Sequence, residues 1–165
     1  MVVALRVDDR LIHGQVALAW SKALGSEGIL IANDAVCRNE VQKMALKMAT
    51  PPNVKLLIKP VNEAVAVLND PRGKNMKIMV LTSTVRDALE ICKGVAEITE
   101  VNLAGTGRLD GVGAGAGEKT VLVKSSVFLR PEEVECLREL IGRGVYVYNQ
   151  QLPTHDRQDL SKALV

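Results

Sequence analysis

Leu5-Arg6-Val7-Asp8-Asp9-Arg10-Leu11-Ile12-His13-Gly14-Gln15-Val16 is the stretch from which the fold is read. An apolar strand, Val2 to Val7, breaks into charged residues and then into a histidine beside a glycine, just ahead of a helical pattern from Gln15 to Leu24. A strand feeding a helix through a short loop is the unit of open α/β sheets. Such sheets bind ligands at that loop, where backbone N–H groups and the helix dipole converge.

The same alternation continues down the chain. Strand-length apolar runs lie at Gly28 to Ala32, Val54 to Ile58, Lys77 to Leu81, Ile98 to Leu103, Thr120 to Lys124 and Val145 to Tyr148. Helical patterns fall between them, at Asn39 to Met48, Val61 to Leu68, Val85 to Lys93, Pro131 to Gly142 and Asp156 to Leu164. Pro131 followed by Glu132 and Glu133 is a helix opening, and Gly94 and Gly142 stand where helices stop. The reading is an α/β fold: a doubly wound, mostly parallel central sheet of about seven strands with helices on both faces. There is no internal repeat or linker, so residues 1–165 form one domain.

Composition agrees. Aromatic residues are 2% of the chain and hydrophobic residues 47%, so the core is built from Val, Leu, Ile, Ala and Met, the residues of a sheet buried on both faces. A net charge of +2, without aromatics interleaved among basic runs, excludes a nucleic-acid binder. Cys37, Cys92 and Cys136 are far apart and form no CxxC, which reads as reduced, inert thiols and no metal site. No apolar run has the length of a membrane span, and no signal peptide is visible; the expected location is the cytoplasm.

A lone histidine is more often a surface or packing residue, but its place at this loop makes His13 a candidate nucleophile as well. Phosphoryl transfer through histidine needs a neutral ring nitrogen and donors for the phosphate oxygens; Gly14 removes a Cβ beside the ring, and the amides from Gly14 and Gln15 onward supply donors. Arg10, three residues before it, has a planar guanidinium suited to two phosphate oxygens. Of the two acids, Asp9 is taken ahead of Asp8 as the carboxylate that fixes the histidine tautomer. Gln15 and Trp20 are otherwise read as structural, and His155 as a surface or loop residue.

Leu103 to Gly117 carries six glycines in fifteen residues. Gly111, Gly113 and Ala116 match G-x-G-x-x-A, but a strand pattern follows where a dinucleotide site needs a helix. A Walker loop fails because Glu118 separates Gly117 from Lys119-Thr120. Arg108, the cation of this segment, is a candidate second phosphate contact, and Thr82 and Ser83, ending another strand, offer further donors. A receiver domain would use Asp8, Asp9 and Thr82 or Ser83. It lacks its phosphoacceptor aspartate after Ile58-Lys59-Pro60 and its lysine between Asn102 and Gly107.

The string Asp8 to Val16, with Trp20 beyond it, resembles the mannose/sorbose family of sugar phosphotransferase system IIB components. Weaker likeness runs through Ala32-Asn33-Asp34, Glu40-Val41, Ala49-Thr50-Pro51-Pro52, Val54-Lys55, Arg143-Gly144-Val145 and Leu152-Pro153-Thr154. Asn102-Leu103-Ala104-Gly105 stands where the family has Asn-Val or Asn-Ile followed by Gly-Gly or Gly-Asn. The resemblance implies a phosphocarrier. His13 accepts phosphate at its δ1 nitrogen from a phosphohistidine of a IIA protein and gives it to a sugar during uptake through membrane IIC and IID components. It implies no cofactor. Arg6, Arg10, Arg38 and Arg108 are the cations expected to steer a phosphorylated partner. The alternative class is a regulatory or binding protein that keeps the fold without phosphorylating sugar.

Overall fold

The computed structural model describes residues 1–108 and 119–164. Residues 109–118, the greater part of the glycine-rich segment, lie outside it, including Gly111, Gly113 and Ala116 of the dinucleotide-like string.

The described strands are β1 (Val2–Asp8), β2 (Gly28–Ala32), β3 (Lys55–Lys59), β4 (Ile78–Thr82), β5 (Glu100–Gly105), β6 (Thr120–Val123), β7 (Val127–Leu129), β8 (Tyr146–Asn149) and β9 (Gln158–Asp159). Seven of them form the main sheet in the order β3-β2-β4-β1-β5-β8-β9. All neighbours in it are parallel except β8 and β9. Six α-helices among the described residues accompany the strands: α1 (Gly14–Leu24), α2 (Asp34–Cys37), α3 (Glu40–Ala49), α4 (Val61–Leu68), α5 (Val85–Gly94) and α6 (Pro131–Gly142).

Period-two alternation divides the sheet between two apolar layers. Ile29, Ile31, Met79 and Leu81 point to the layer that holds Ala17 and Trp20 of α1, Val36 of α2 and Leu46 of α3. Leu5, Val7, Leu30, Ala32 and Val80 point to the other, with Ala64 of α4, Ala88 and Ile91 of α5 and Leu137 and Leu140 of α6. β1 sits at the centre with β4 on one side and β5 on the other. The chain leaves β1 toward β2 and leaves β5 toward β8, in opposite directions along the sheet. The crevice between the C-terminal ends of β1 and β5 is therefore the switch point where such folds bind ligands.

Two expectations need correction. Thr120 to Lys124 does not join the sheet: β6 pairs antiparallel with β7, a separate hairpin attached through Thr106 to the end of β5. Asp156 to Leu164 is not a helix. Gln158–Asp159 forms an edge strand on β8, and Leu160 donates its N–H to the Val147 carbonyl at 2.8 Å. Arg157 explains the preference. Its guanidinium lies over the Tyr148 ring at 4.0 Å and forks onto Glu100 at 3.1 and 3.2 Å, so the extended segment is anchored to two strands.

Candidate functional site

The site starts from the alternation of β1. Leu5 and Val7 enter one apolar layer, so Arg6 and Asp8 face the other, toward α1. Asp8, the last residue of the strand, is fully buried. The chain then turns: the Leu11 N–H donates to the Asp8 carbonyl at 2.9 Å, and Leu11 adopts φ of 58°. That left-handed conformation is costly for a leucine and is held because its side chain is buried in the α1 layer. The turn delivers His13 to the N-cap of α1 with extended backbone, beside the end of the strand it came from.

Asp8 is the hub. Its Oδ2 lies 3.1 Å from Nε2 of His13 and 3.5 Å from Nη2 of Arg6. Its Oδ1 accepts from the Arg10 N–H at 3.0 Å, from Arg10 Nε at 3.4 Å and from Arg108 Nη2 at 3.1 Å. Burial alone would raise the Asp8 pKa, but the Arg10 amide, the Arg6 charge and the His13 ring together hold it below the usual value. An ionised carboxylate only accepts, so Nε2 of His13 carries the proton and donates. In the neutral ring, Nδ1 then keeps the lone pair. Asp8 rather than Asp9 meets the histidine. Asp9 instead takes Arg108: its Oδ2 accepts the Arg108 N–H at 3.1 Å and its Oδ1 the guanidinium at 2.8 Å.

Arg6 is almost wholly enclosed, at 3% exposure, and is thus no surface steering charge. It donates to the carbonyls of Gln150 at 2.9 Å and Gln151 at 3.2 Å and lies 5.1 Å from the centre of the Trp20 ring. Desolvation lowers its pKa to about 10, so it is still a cation at neutral pH. Arg10 is the accessible cation; beyond its Nε contact no bond to its terminal nitrogens is found among the described residues. Arg38 is exposed at the end of α2. Arg108 rests on Gly105, where any Cβ would overlap its guanidinium.

Gly14 has φ of 47°, and a Cβ there would meet nothing within 4 Å, so glycine is required for its backbone angle and not for the space beside the ring. The His13 side chain makes no bond to the first turn of α1. Helix geometry leaves the amides of Gly14, Gln15 and Val16 without intrahelical acceptors. Gly14 and Gln15 are exposed.

The remaining candidates lie at the end of β4 and just beyond it. Thr82 is buried and its hydroxyl donates to the Thr84 carbonyl at 3.2 Å, which turns it inward and away from a ligand role. Ser83 accepts from Asn33 Nδ2 at 2.9 Å, and its carbonyl accepts from Thr106 Oγ1 at 3.1 Å. Thr84 caps α5 by accepting from the Asp87 N–H. Clefts of about 500 and 610 Å³ occur elsewhere, one at the N-terminal ends of β2, β3 and β4 and one between α4 and α5; His13 lines neither. Its side chain is partly buried, at 23% exposure.

Sequence reasoning underrates Asp8 and misses the strap after β8. Asn149 Nδ2 reaches the Leu103 carbonyl at 2.8 Å, and Asn102 and Gln150 exchange two bonds at 3.0 and 3.1 Å. Gln151 Nε2 reaches the Ala104 carbonyl at 2.6 Å, while its own carbonyl accepts from Trp20 Nε1 at 2.9 Å. Arg6 set between Leu5 and Val7 is the signal for such a strap, because an enclosed guanidinium must find acceptors.

No group of three or more His, Cys, Asp or Glu side chains among the described residues is arranged to hold a metal, and no described helix is long and apolar enough to cross a membrane.

Comparison with known proteins agrees with this fold. The family model of the sorbose subfamily IIB component of the phosphotransferase system matches residues 2–165. A chain named probable phosphotransferase enzyme IIB component, from Streptococcus pyogenes serotype M6, is 40% identical over 163 residues, 98% of each chain. The mannose-specific EIIAB component of Escherichia coli K12 is 31% identical over 155 residues, which cover 93% of this chain and 46% of that one. The crystal structure of the IIBSor domain of the Klebsiella pneumoniae sorbose permease superposes with a TM-score of 0.85 at 30% identity, covering 98% of this chain and 94% of that domain. With its Asp8-bound histidine at the head of α1, the chain belongs to the sorbose-subfamily IIB components of the sugar phosphotransferase system.

Proposed function

We propose that this chain is a phosphocarrier in which Nδ1 of His13 takes a phosphoryl group from a phosphohistidine of a IIA partner and passes it to a sugar hydroxyl. In the first step the donor's N–P bond breaks as the bond from Nδ1 to phosphorus forms. In the second that bond breaks as the sugar O–P bond forms and the hydroxyl proton leaves. The observation that carries the reading is the 3.1 Å contact between Nε2 of His13 and Oδ2 of Asp8, which leaves Nδ1 as the free nucleophile. The open amides of Gly14, Gln15 and Val16 and the exposed part of Arg10 suit the equatorial phosphate oxygens, and the reaction asks for little beyond positioning and charge. Arg108 serves through its hold on Asp8 and Asp9.

The IIA donor is supported by the Escherichia coli relative, whose name joins an A unit to the B unit. Delivery through membrane IIC and IID partners fits the permease to which the Klebsiella pneumoniae domain belongs. The partly exposed ring of His13, beside the exposed Gly14 and Gln15, suits a carrier that must face two proteins in turn.

The test is incubation of wild type and His13→Ala with the general phosphotransferase proteins, a IIA partner and labelled phosphoenolpyruvate. Label that is acid-labile, alkali-stable and lost in His13→Ala is expected. Label that survives the substitution, or none in wild type, overturns the reading.

A further inference from the structure

A carboxylate beside a histidine has two effects that pull against each other. It fixes the tautomer by accepting from one ring nitrogen, which helps a nucleophile. It also favours the doubly protonated imidazolium, whose second nitrogen has no lone pair and cannot attack phosphorus. Asp8 is fully buried, where its charge is weakly screened, so the second effect would be strong if Asp8 stood alone with His13.

It does not stand alone, and the three arginines around it are not equivalent. Arg10 and Arg108 approach Oδ1. Arg6 approaches Oδ2, the oxygen that also receives the histidine Nε2–H. Arg10 and Arg108 also have other work or other freedom: Arg10 is 38% exposed, and Arg108 is shared with Asp9. Arg6 is enclosed on all sides by fixed groups of the fold, with two carbonyls and the Trp20 ring holding it in place. Its geometry does not depend on the state of the loop.

We propose that Arg6 is a positioning residue for phosphotransfer: its charge, set against Oδ2 of Asp8, balances the carboxylate so that the ring of His13 stays neutral with Nδ1 free. The inference rests on the phosphocarrier reading for its purpose but not for its measurement. Arg6 touches neither phosphate nor partner and acts through Asp8. The strap Gln150-Gln151 thereby becomes part of the site, since its carbonyls hold the balancing charge.

Arg6→Met removes the charge and keeps the length; Arg6→Lys restores the charge without the forked geometry. The groups facing the Asp8–His13 pair are Arg6 and Asp9 on β1 and its loop, Arg10 in the loop and Arg108 beyond β5, with Tyr148 of β8 near Arg6. The primary readout is the pH dependence of single-turnover phosphorylation from a IIA donor. In Arg6→Met the acid limb moves to higher pH, because removing the cation favours both the imidazolium and the protonated carboxyl. The rate loss is then about threefold or more greater at about pH 6 than at about pH 8. Arg6→Lys recovers most of the limb position. In an Asp8→Asn background, Arg6→Met no longer moves the limb.

A uniform loss at every pH, equal with and without Asp8, assigns Arg6 to structure only and overturns the proposal. Should Arg6→Met fail to fold, Arg6→Lys against wild type still decides: a limb displaced as far as complete charge loss demands would refute a charge role. A ¹⁵N NMR titration of His13 in the unphosphorylated protein reads the same displacement without any phosphate. Failure of the phosphocarrier reading therefore shows up separately, as an absence of label at His13.

Discussion

Asp8 and His13 are five residues apart in the chain and meet through Oδ2 and Nε2 at 3.1 Å, the loop between them turning on the left-handed Leu11. An asparagine at position 8 has the shape but not the ionised acceptor, and its amide can impose the opposite tautomer. Asp8→Asn is expected to slow phosphorylation of His13 roughly a hundredfold. It also leaves Arg6 enclosed without a counter-charge, at about 3 kcal/mol in urea unfolding. An unchanged rate would remove Asp8 from the mechanism.

Two aspartates answer pH with opposite signs. The folded pKa of Asp8 lies below its unfolded value, so its stabilisation is complete above that value and is lost as pH falls through the folded one, at pH below about 4. Asp87 in α5 is raised to about 6 by burial and by the charges of Asp34 and Glu133. Its folded form holds the proton more tightly, so its charge penalises the fold above about pH 6 and the penalty fades toward pH 4. Asp87→Asn should therefore raise Tm at pH 7 and leave it nearly unchanged at about pH 4. A gain that is the same at both would mean that charge is not the cause.

Gly105 and Arg108 form one unit, since the guanidinium occupies the space where a side chain at 105 would begin. Gly105→Ala is expected to expel Arg108 from Asp8 and Asp9 and to reproduce the phosphotransfer defect of Arg108→Ala. The double variant should be no worse than either single one. Additive losses in the three variants would show that the two residues act apart.

Gly14 tests backbone strain without steric clash. Gly14→Ala meets no neighbouring atom but must hold φ near 47°, at a cost of about 1–2 kcal/mol. The expected result is a folded protein with a lowered midpoint in denaturant. A variant as stable as wild type would mean that the helix start relaxes to an ordinary angle.

The core of this fold can be read from the chain because its cause is local. Val61–Leu68 and Pro131–Gly142 carry their helical period and end signals within themselves, and both have the boundaries expected from sequence. The errors have non-local causes. Leu160 and Leu164 are four apart, as on a helix face, but Arg157, lying over Tyr148 and paired with Glu100, holds the chain extended through Gln158–Asp159, and neither of its partners lies within residues 156–164. Thr120 to Lys124 has the make-up of a sheet strand, but Ser125, at φ of 70°, turns it back onto Val127–Leu129 before it can reach the sheet.

The site divides in the same way. His13 and Arg10 are legible from their place between a strand and a helix. Preferring Asp9 to Asp8 neglects the alternation of β1, which puts Asp8 on the same face as Arg6 and carries both toward α1. Gln150 lies 144 residues from Arg6 and Gln151 lies 131 from Trp20, and only the completed sheet brings their carbonyls to those donors.

The head of α1, where His13 caps the helix without bonding to it, makes the site tolerant of change in an unusual direction. On the phosphocarrier reading, the donors that the helix start itself would offer a phosphate are peptide groups, which every residue except proline supplies alike. Gln15 and Val16 can therefore be exchanged without loss of the cradle, and what changes there is the surface presented to a partner. The strict demand falls on a few positions that shape the backbone itself: the left-handed Leu11, Gly14 and the buried Asp8 from which the turn springs. Recognition can diverge at the rim while the backbone that sets His13 against Asp8 stays fixed.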